Sequence, residues 1–159
     1  APWDDNDDFD LFTWDTQTGE IYRHAFPGGS LEGGVDIDHD GDRVTAHVRG
    51  PYGAVIAWWS RTGVSPISHT EVDSGTPPGI SADGRFVAWV VDDQLVVRRV
   101  NRGQNEVVTP HSWRFSGGAS PLVSEDGRTV IVPAYQTTIV GDTDTSPDVI
   151  AFRRSSWPD

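Results

Sequence analysis

The chain has 159 residues and a formal charge of −12, from 12 arginines against 24 acidic residues with no lysine at all. A surface so acidic repels phosphate backbones and anionic headgroups, so neither nucleic acid nor a membrane is an expected partner. Without cysteine there is no disulfide, thiolate metal site or cysteine nucleophile, and no run approaches the roughly 20 apolar residues of a spanning helix. An apolar content of 36%, with 17 glycines and 11 prolines, suits short strands joined by turns within one domain.

Methionine is also absent, and Ala1-Pro2 leads the chain. A removed leader or a piece of a longer protein would each account for that. The first acidic loop places Asp4, Asn6, Asp8 and Asp10 two residues apart. The segment from Asp10 then reads as a third strand closed by Gly19, and Glu20–His24 as a fourth strand.

Further along, one phrase recurs. Ile37-Asp38-His39-Asp40-Gly41-Asp42-Arg43-Val44 is succeeded by Ile80-Ser81-Ala82-Asp83-Gly84-Arg85-Phe86-Val87 and by Val123-Ser124-Glu125-Asp126-Gly127-Arg128-Thr129-Val130. Asp40, Asp83 and Asp126 are 43 residues apart each time. Asp-Gly marks a tight turn, because glycine accepts the positive φ that other residues resist. A period of roughly 40–45 residues holding a turn and strands is the size of a four-stranded propeller blade.

Each unit predicts a short strand into the turn and a second strand leaving it, at Val44–Val48, Phe86–Val91 and Thr129–Val132. Third strands are predicted at Val55–Trp59, Leu95–Arg99 and Val149–Arg153, and fourth strands at Pro66–Thr70 and Glu106–Thr109. The segment from Asp10 to Gly19 matches Ala54 to Gly63, so the chain opens with the second half of a blade. The expected organisation is one domain over 1–159, with units near 1–27 (half a blade), 34–72, 77–110 and 119–154. The fold class is therefore all-β: β-propeller blades of four antiparallel strands, about three per chain. A closed ring needs roughly 4–8 blades, so this is a partial ring expected to be completed by another chain, as a dimer of half-propellers.

The phrase resembles the TolB-type, WD-like β-propeller repeat, in which a Ser-x-Asp-Gly-Arg turn precedes an aromatic-rich strand. Ser81 to Arg85 and Ser124 to Arg128 match it fully, while Asp38 to Asp42 carries Asp in place of both Ser and Arg. The chain looks particularly like secreted bacterial versions with a Gly-Asp-Thr-Asn-Gly-type loop before the third strand, since Gly141 to Val149 stands in that place. The resemblance implies a binding platform and a secreted, periplasmic or cell-surface location. It assigns no catalytic residues, because function on such scaffolds lives in grafted sites.

Two acidic loops are the candidate metal sites. Asp142, Asp144, Ser146 and Asp148 repeat the spacing of Asp4, Asn6, Asp8 and Asp10, 138 residues later. Alternating hard oxygens on a short loop suit Ca²⁺, which takes 6–8 oxygen ligands in loose geometry; the same residues also favour turns without any ion. Asp36 to Gly41 opens like a calcium-binding helix–loop–helix, but the glutamate that loop requires is His47 here, so the turn reading holds.

Among seven tryptophans, Trp14, Trp58 and Trp89 fall in strand register and are expected in the core. Trp59 must face opposite to Trp58, and with Trp113, Trp3 and Trp157 it is a candidate for a surface that binds a protein or glycan partner, against inter-blade packing as the plainer role. The five histidines lack zinc spacing, and no nucleophile elbow, phosphate loop or dinucleotide fingerprint occurs. The expectation is a noncatalytic binding or assembly protein stabilised by calcium. The alternatives are a carbohydrate-active propeller, a peptidase-associated propeller and a lectin.

Overall fold

The computed structural model describes residues 9–24, 26, 29–50, 53–60, 63–68, 76–109, 113–116, 118–135 and 144–154. Apart from one 3-10 turn at Val100–Arg102, every regular element among them is a strand. β1 (Leu11–Trp14) and β2 (Ile21–His24) form a two-stranded antiparallel hairpin. β3 (Ser30–Ile37), β4 (Arg43–Gly50), β5 (Gly53–Ser60) and β6 (Gly63–Pro66) form a four-stranded sheet in chain order, the first blade.

β7 (Gly79–Ile80), β8 (Phe86–Val91), β9 (Gln94–Arg99) and β10 (Gln104–Val107) repeat that order in the second blade. The third comprises β11 (Arg114–Phe115), β12 (Leu122–Val123), β13 (Thr129–Tyr135) and β14 (Asp148–Arg153). Here β11 and β12 lie end to end on one edge of β13, with Phe115 opposite Ala134 and Leu122 opposite Ile131, while β14 takes the other edge. The innermost strand, continuous in β3, is thus split in the third blade.

Fourth strands begin earlier than predicted, at Gly63 and Gln104 instead of Pro66 and Glu106. They also end earlier than predicted, at Pro66 and Val107, and side-chain hydroxyls just past each strand account for the early ends. Ile67 N–H donates to the Ile56 carbonyl, after which the Ser68 hydroxyl accepts from Ile56 N–H at 2.8 Å. Thr109 does the same for Leu95 N–H at 2.9 Å. A buried hydroxyl takes over from the backbone carbonyl and carries the pairing past the end of the strand.

The cores lie between blades. Blade one meets the β1–β2 hairpin through Ala46, Val48, Ala57 and Trp59 against Leu11 and Phe26. It meets blade two through Ile56, Ile67 and Trp58 against Ile80, Val87 and Trp89. Blade two presents Ala88, Val90, Leu95 and Val97 to Val130, Val132 and Phe152 of the third. Because β8 is covered on both faces, all six of its residues are buried and it reads as one apolar run.

Inner strands approach too closely for side chains. A Cβ on Gly34 would collide with Pro77, and one on Gly79 with the Pro121 carbonyl. Arg154, just after β14, pairs with Glu106 of β10 and ties the third blade to the second (Nε to Oε1 2.9 Å). Burial holds the Arg154 guanidinium below its ordinary pKa.

Candidate binding surfaces

The repeated phrase builds one rigid turn. Ser81 Oγ donates to Asp83 Oδ1 (2.7 Å) and accepts from Phe86 N–H (3.0 Å), while Arg85 N–H donates to the same carboxylate oxygen. Ser124, Asp126, Arg128 and Thr129 reproduce this network within about 0.1 Å of each distance. The Arg128 N–H and the Ser124 hydroxyl together hold the Asp126 carboxyl below its ordinary pKa. In the first blade Asp38 stands in for serine: its Oδ1 accepts from Asp42 N–H and Arg43 N–H, and its Oδ2 from the Arg43 guanidinium.

Turns of adjacent blades are also joined. His39 N–H donates to Ala82 O at 2.9 Å, and Arg43 Nη1 to Asp83 O at 2.7 Å. Asp36 Oδ2 accepts from Ile80 N–H at 2.8 Å. The residue after each turn packs on the glycine of the next: a Cβ on Gly84 would lie 2.5 Å from the Arg43 side chain, and one on Gly127 2.5 Å from Phe86.

A cleft of about 780 Å³ opens between the β1–β2 hairpin and the first of these turns. From the hairpin Trp14 and Tyr22 line it, one from each face of that sheet, and from the turn His39, Asp40 and Asp42. His24 also lines it and shares a 2.8 Å hydrogen bond with Thr13 Oγ1. Burial pushes the His24 imidazole below its ordinary pKa, favouring the neutral ring.

Each end of the arc presents an apolar sheet face. Cross-strand partners share a face, so Phe12, Trp14 and Ile21 point together, away from the Leu11 side that packs on blade one. All three are exposed. At the other end Leu122, Ile131 and Ala151 align with Pro133 and Val149 on the side opposite the second blade. Leu122 is 65% exposed and Val149 75%.

The expected aromatic surface is corrected at Trp59. That ring is 3% exposed, edge-on to His24 and Phe26 at centroid distances of 6.3 Å, within the hairpin–blade core. A buried ring cannot stack on a partner or sugar. Trp14 reverses the other way: expected in the core, it is 67% exposed, because among the described residues its sheet has two strands and no blade covers that face. Trp58 and Trp89 are core residues as expected. Trp113 is half-buried and edge-on to Phe152 at 4.9 Å. Trp3 and Trp157 lie outside the described residues.

Of the proposed calcium ligands, Asp4, Asn6, Asp8 and Asp142 also lie outside the described residues. Asp10 is ion-paired to Arg23 at 3.0 Å. Asp144 Oδ1 accepts from Ser146 N–H at 2.8 Å, and exposed Asp148 opens β14. Among the described residues no three acidic or histidine side chains gather as a metal site. Sequence reasoning missed the cleft and both end faces. The repeat alignment carried a signal for them, since it already placed only half a blade at the start.

Neither a protein-family model nor a curated protein matches the chain. Solved structures do. TolB from Acinetobacter baumannii superposes with a TM-score of 0.60 at 17% identity, covering 89% of this chain and 34% of its own. A protein assigned as TolB from Agrobacterium tumefaciens gives 0.62 at 16% identity, covering 93% and 52% respectively. The tricorn protease gives 0.61 at 13% identity over 89% of this chain and 14% of its own. The sheets thus form an arc of a β-propeller. The arc is TolB-like in fold, and it spans a third to a half of the TolB chains it matches. Among the described residues no helix is long and apolar enough to cross a membrane.

Proposed function

We propose that this chain is a noncatalytic binding and assembly module of a β-propeller, acting outside the cytoplasm, with a second copy stacking on its open blade faces. The carrying observation is the uncovered apolar face of the third blade, centred on Leu122 and Val149. Every described blade contact joins an apolar face to its neighbour's apolar face. The arc retains one such face at each end, turned in opposite directions, and head-to-tail stacking of two copies buries both. Apolar area removed from water drives that contact at about 25 cal/mol per Å².

Calcium at the acidic loops is part of the reading, supported by the two-residue spacing of their oxygens. The loop of Asp142, Asp144, Ser146 and Asp148 is the stronger candidate, because Asp10 of the other loop already neutralises Arg23. Thermal melting in calcium and in chelator tests it. Calcium is expected to raise Tm in the wild type and not in Asp144→Ala; identical melts in both solutions would remove calcium from the account.

The cleft favours a second reading, a glycan-binding module, since Trp14 and Tyr22 line it together with the carboxylates of Asp40 and Asp42. Aromatic faces stack on sugars while carboxylates bind hydroxyls. A glycan array separates it from protein binding, and Trp14→Ala is expected to abolish any signal found there.

A further inference from the structure

The cleft beside β1 lies on the side of that strand where the two inner strands of a blade would stand. In the first blade the third strand, β5, pairs inward with β4. The corresponding strand of the hairpin, β1, pairs with β2 alone among the described residues, and its inner edge borders the cleft. Three features of blade one mark what the neighbouring interfaces have and this one lacks. Ile37 is 47% exposed, whereas Ile80, its counterpart 43 residues on, is 7% exposed beneath the first blade. Val35, two residues before Ile37 on the same strand face, is exposed as well. Gly41 has only the tip of Ile37 near it, at 3.9 Å, whereas Gly84 and Gly127 are covered by the residue after the preceding turn.

We propose that this cleft is a docking seat for a β-hairpin of a partner polypeptide, one that carries the same Asp-Gly turn and supplies the two inner strands of the first half-blade. The incoming strand pairs antiparallel with β1, and its apolar residues cover Val35 and Ile37. The residue after its turn packs on Gly41. An arginine there meets the Asp40 carbonyl as Arg43 meets that of Asp83, at a rim whose carboxylates (Asp15, Asp40, Asp42) favour a cation. Added main-chain pairing gives the affinity, and the alternating side chains give the register.

The third blade of a second copy does not fill this seat. β14 already occupies the third-strand place on β13, the place that β1 holds in the hairpin, so the two ends cannot merge into one four-stranded blade. The seat deepens the assembly reading by naming a second kind of contact. It is independent of the face around Val149.

A synthetic peptide spanning residues 30–50, the chain's own first-blade hairpin, is the probe. Hydrogen exchange on the whole chain is expected to slow at least tenfold at the amides of Leu11–Trp14 when the peptide is added, and Trp14 emission to shift to the blue. Ile37→Asp, at an exposed position, is expected to weaken binding at least tenfold while leaving the melt unchanged. A scrambled peptide should do nothing. Equal responses to both peptides, no protection at β1, or full binding by Ile37→Asp would each overturn the seat. So would an oligosaccharide that shifts Trp14 emission when the hairpin peptide does not. A single-chain mass together with peptide binding would keep the seat and remove only the copy-to-copy contact.

Discussion

At the scale of single residues, Ser81 explains why the repeated phrase has the composition it has. Its hydroxyl is fully buried and bridges the turn carboxylate to the N–H that opens β8. Ser81→Ala leaves that N–H unsatisfied and is expected to cost about 1–3 kcal/mol in denaturant unfolding. Ser124→Ala should cost less, since its turn is more exposed. A loss no larger at Ser81 than at Ser124 would contradict this. The turns were legible in the sequence because their chemistry is local: Gly41, Gly84 and Gly127 all take φ near +70°. The tryptophans were not. Alternation places Trp58 and Trp59 on opposite faces, but which face a neighbour covers is a property of the stack, and so Trp59 and Trp14 exchange the roles expected of them.

Among elements, the inner strands and the hairpin respond to different changes. β7 runs so close to Pro121 that Gly79→Ala must push the second and third blades apart. Overpacking of this kind is expected to cost about 3 kcal/mol, read as a lower unfolding midpoint. The β1–β2 hairpin has a pH signature through His24. Its folded pKa lies below the ordinary value of 6.5 because of burial, so the unfolded chain binds more protons there. Its contribution to stability is intact above about pH 6.5 and is lost as pH falls below that. His24→Gln, which can keep a hydrogen bond to Thr13, should therefore flatten the fall in Tm between about pH 7.5 and 5.5. A slope unchanged from wild type would place the titrating group elsewhere. Strand positions two and three were legible from apolar runs. The ends of the fourth strands were not, because Ser68 and Thr109 continue the pairing with side chains that carry no periodic signal.

For the whole molecule, the 43-residue period was enough to specify four-stranded antiparallel blades. What it could not specify is which faces end uncovered, since every blade sequence carries apolar residues for both sides. The arc ends in Phe12, Trp14 and Ile21 on one side and in Leu122, Ile131 and Val149 on the other. The most direct test is absolute mass in solution by light scattering, in calcium and in chelator, for the wild type and for Val149→Asp. The account predicts a two-chain mass for the wild type, a single-chain mass for the folded variant, and weaker association of the wild type in chelator. A well-folded wild type of single-chain mass at all concentrations, indistinguishable from Val149→Asp, would contradict it.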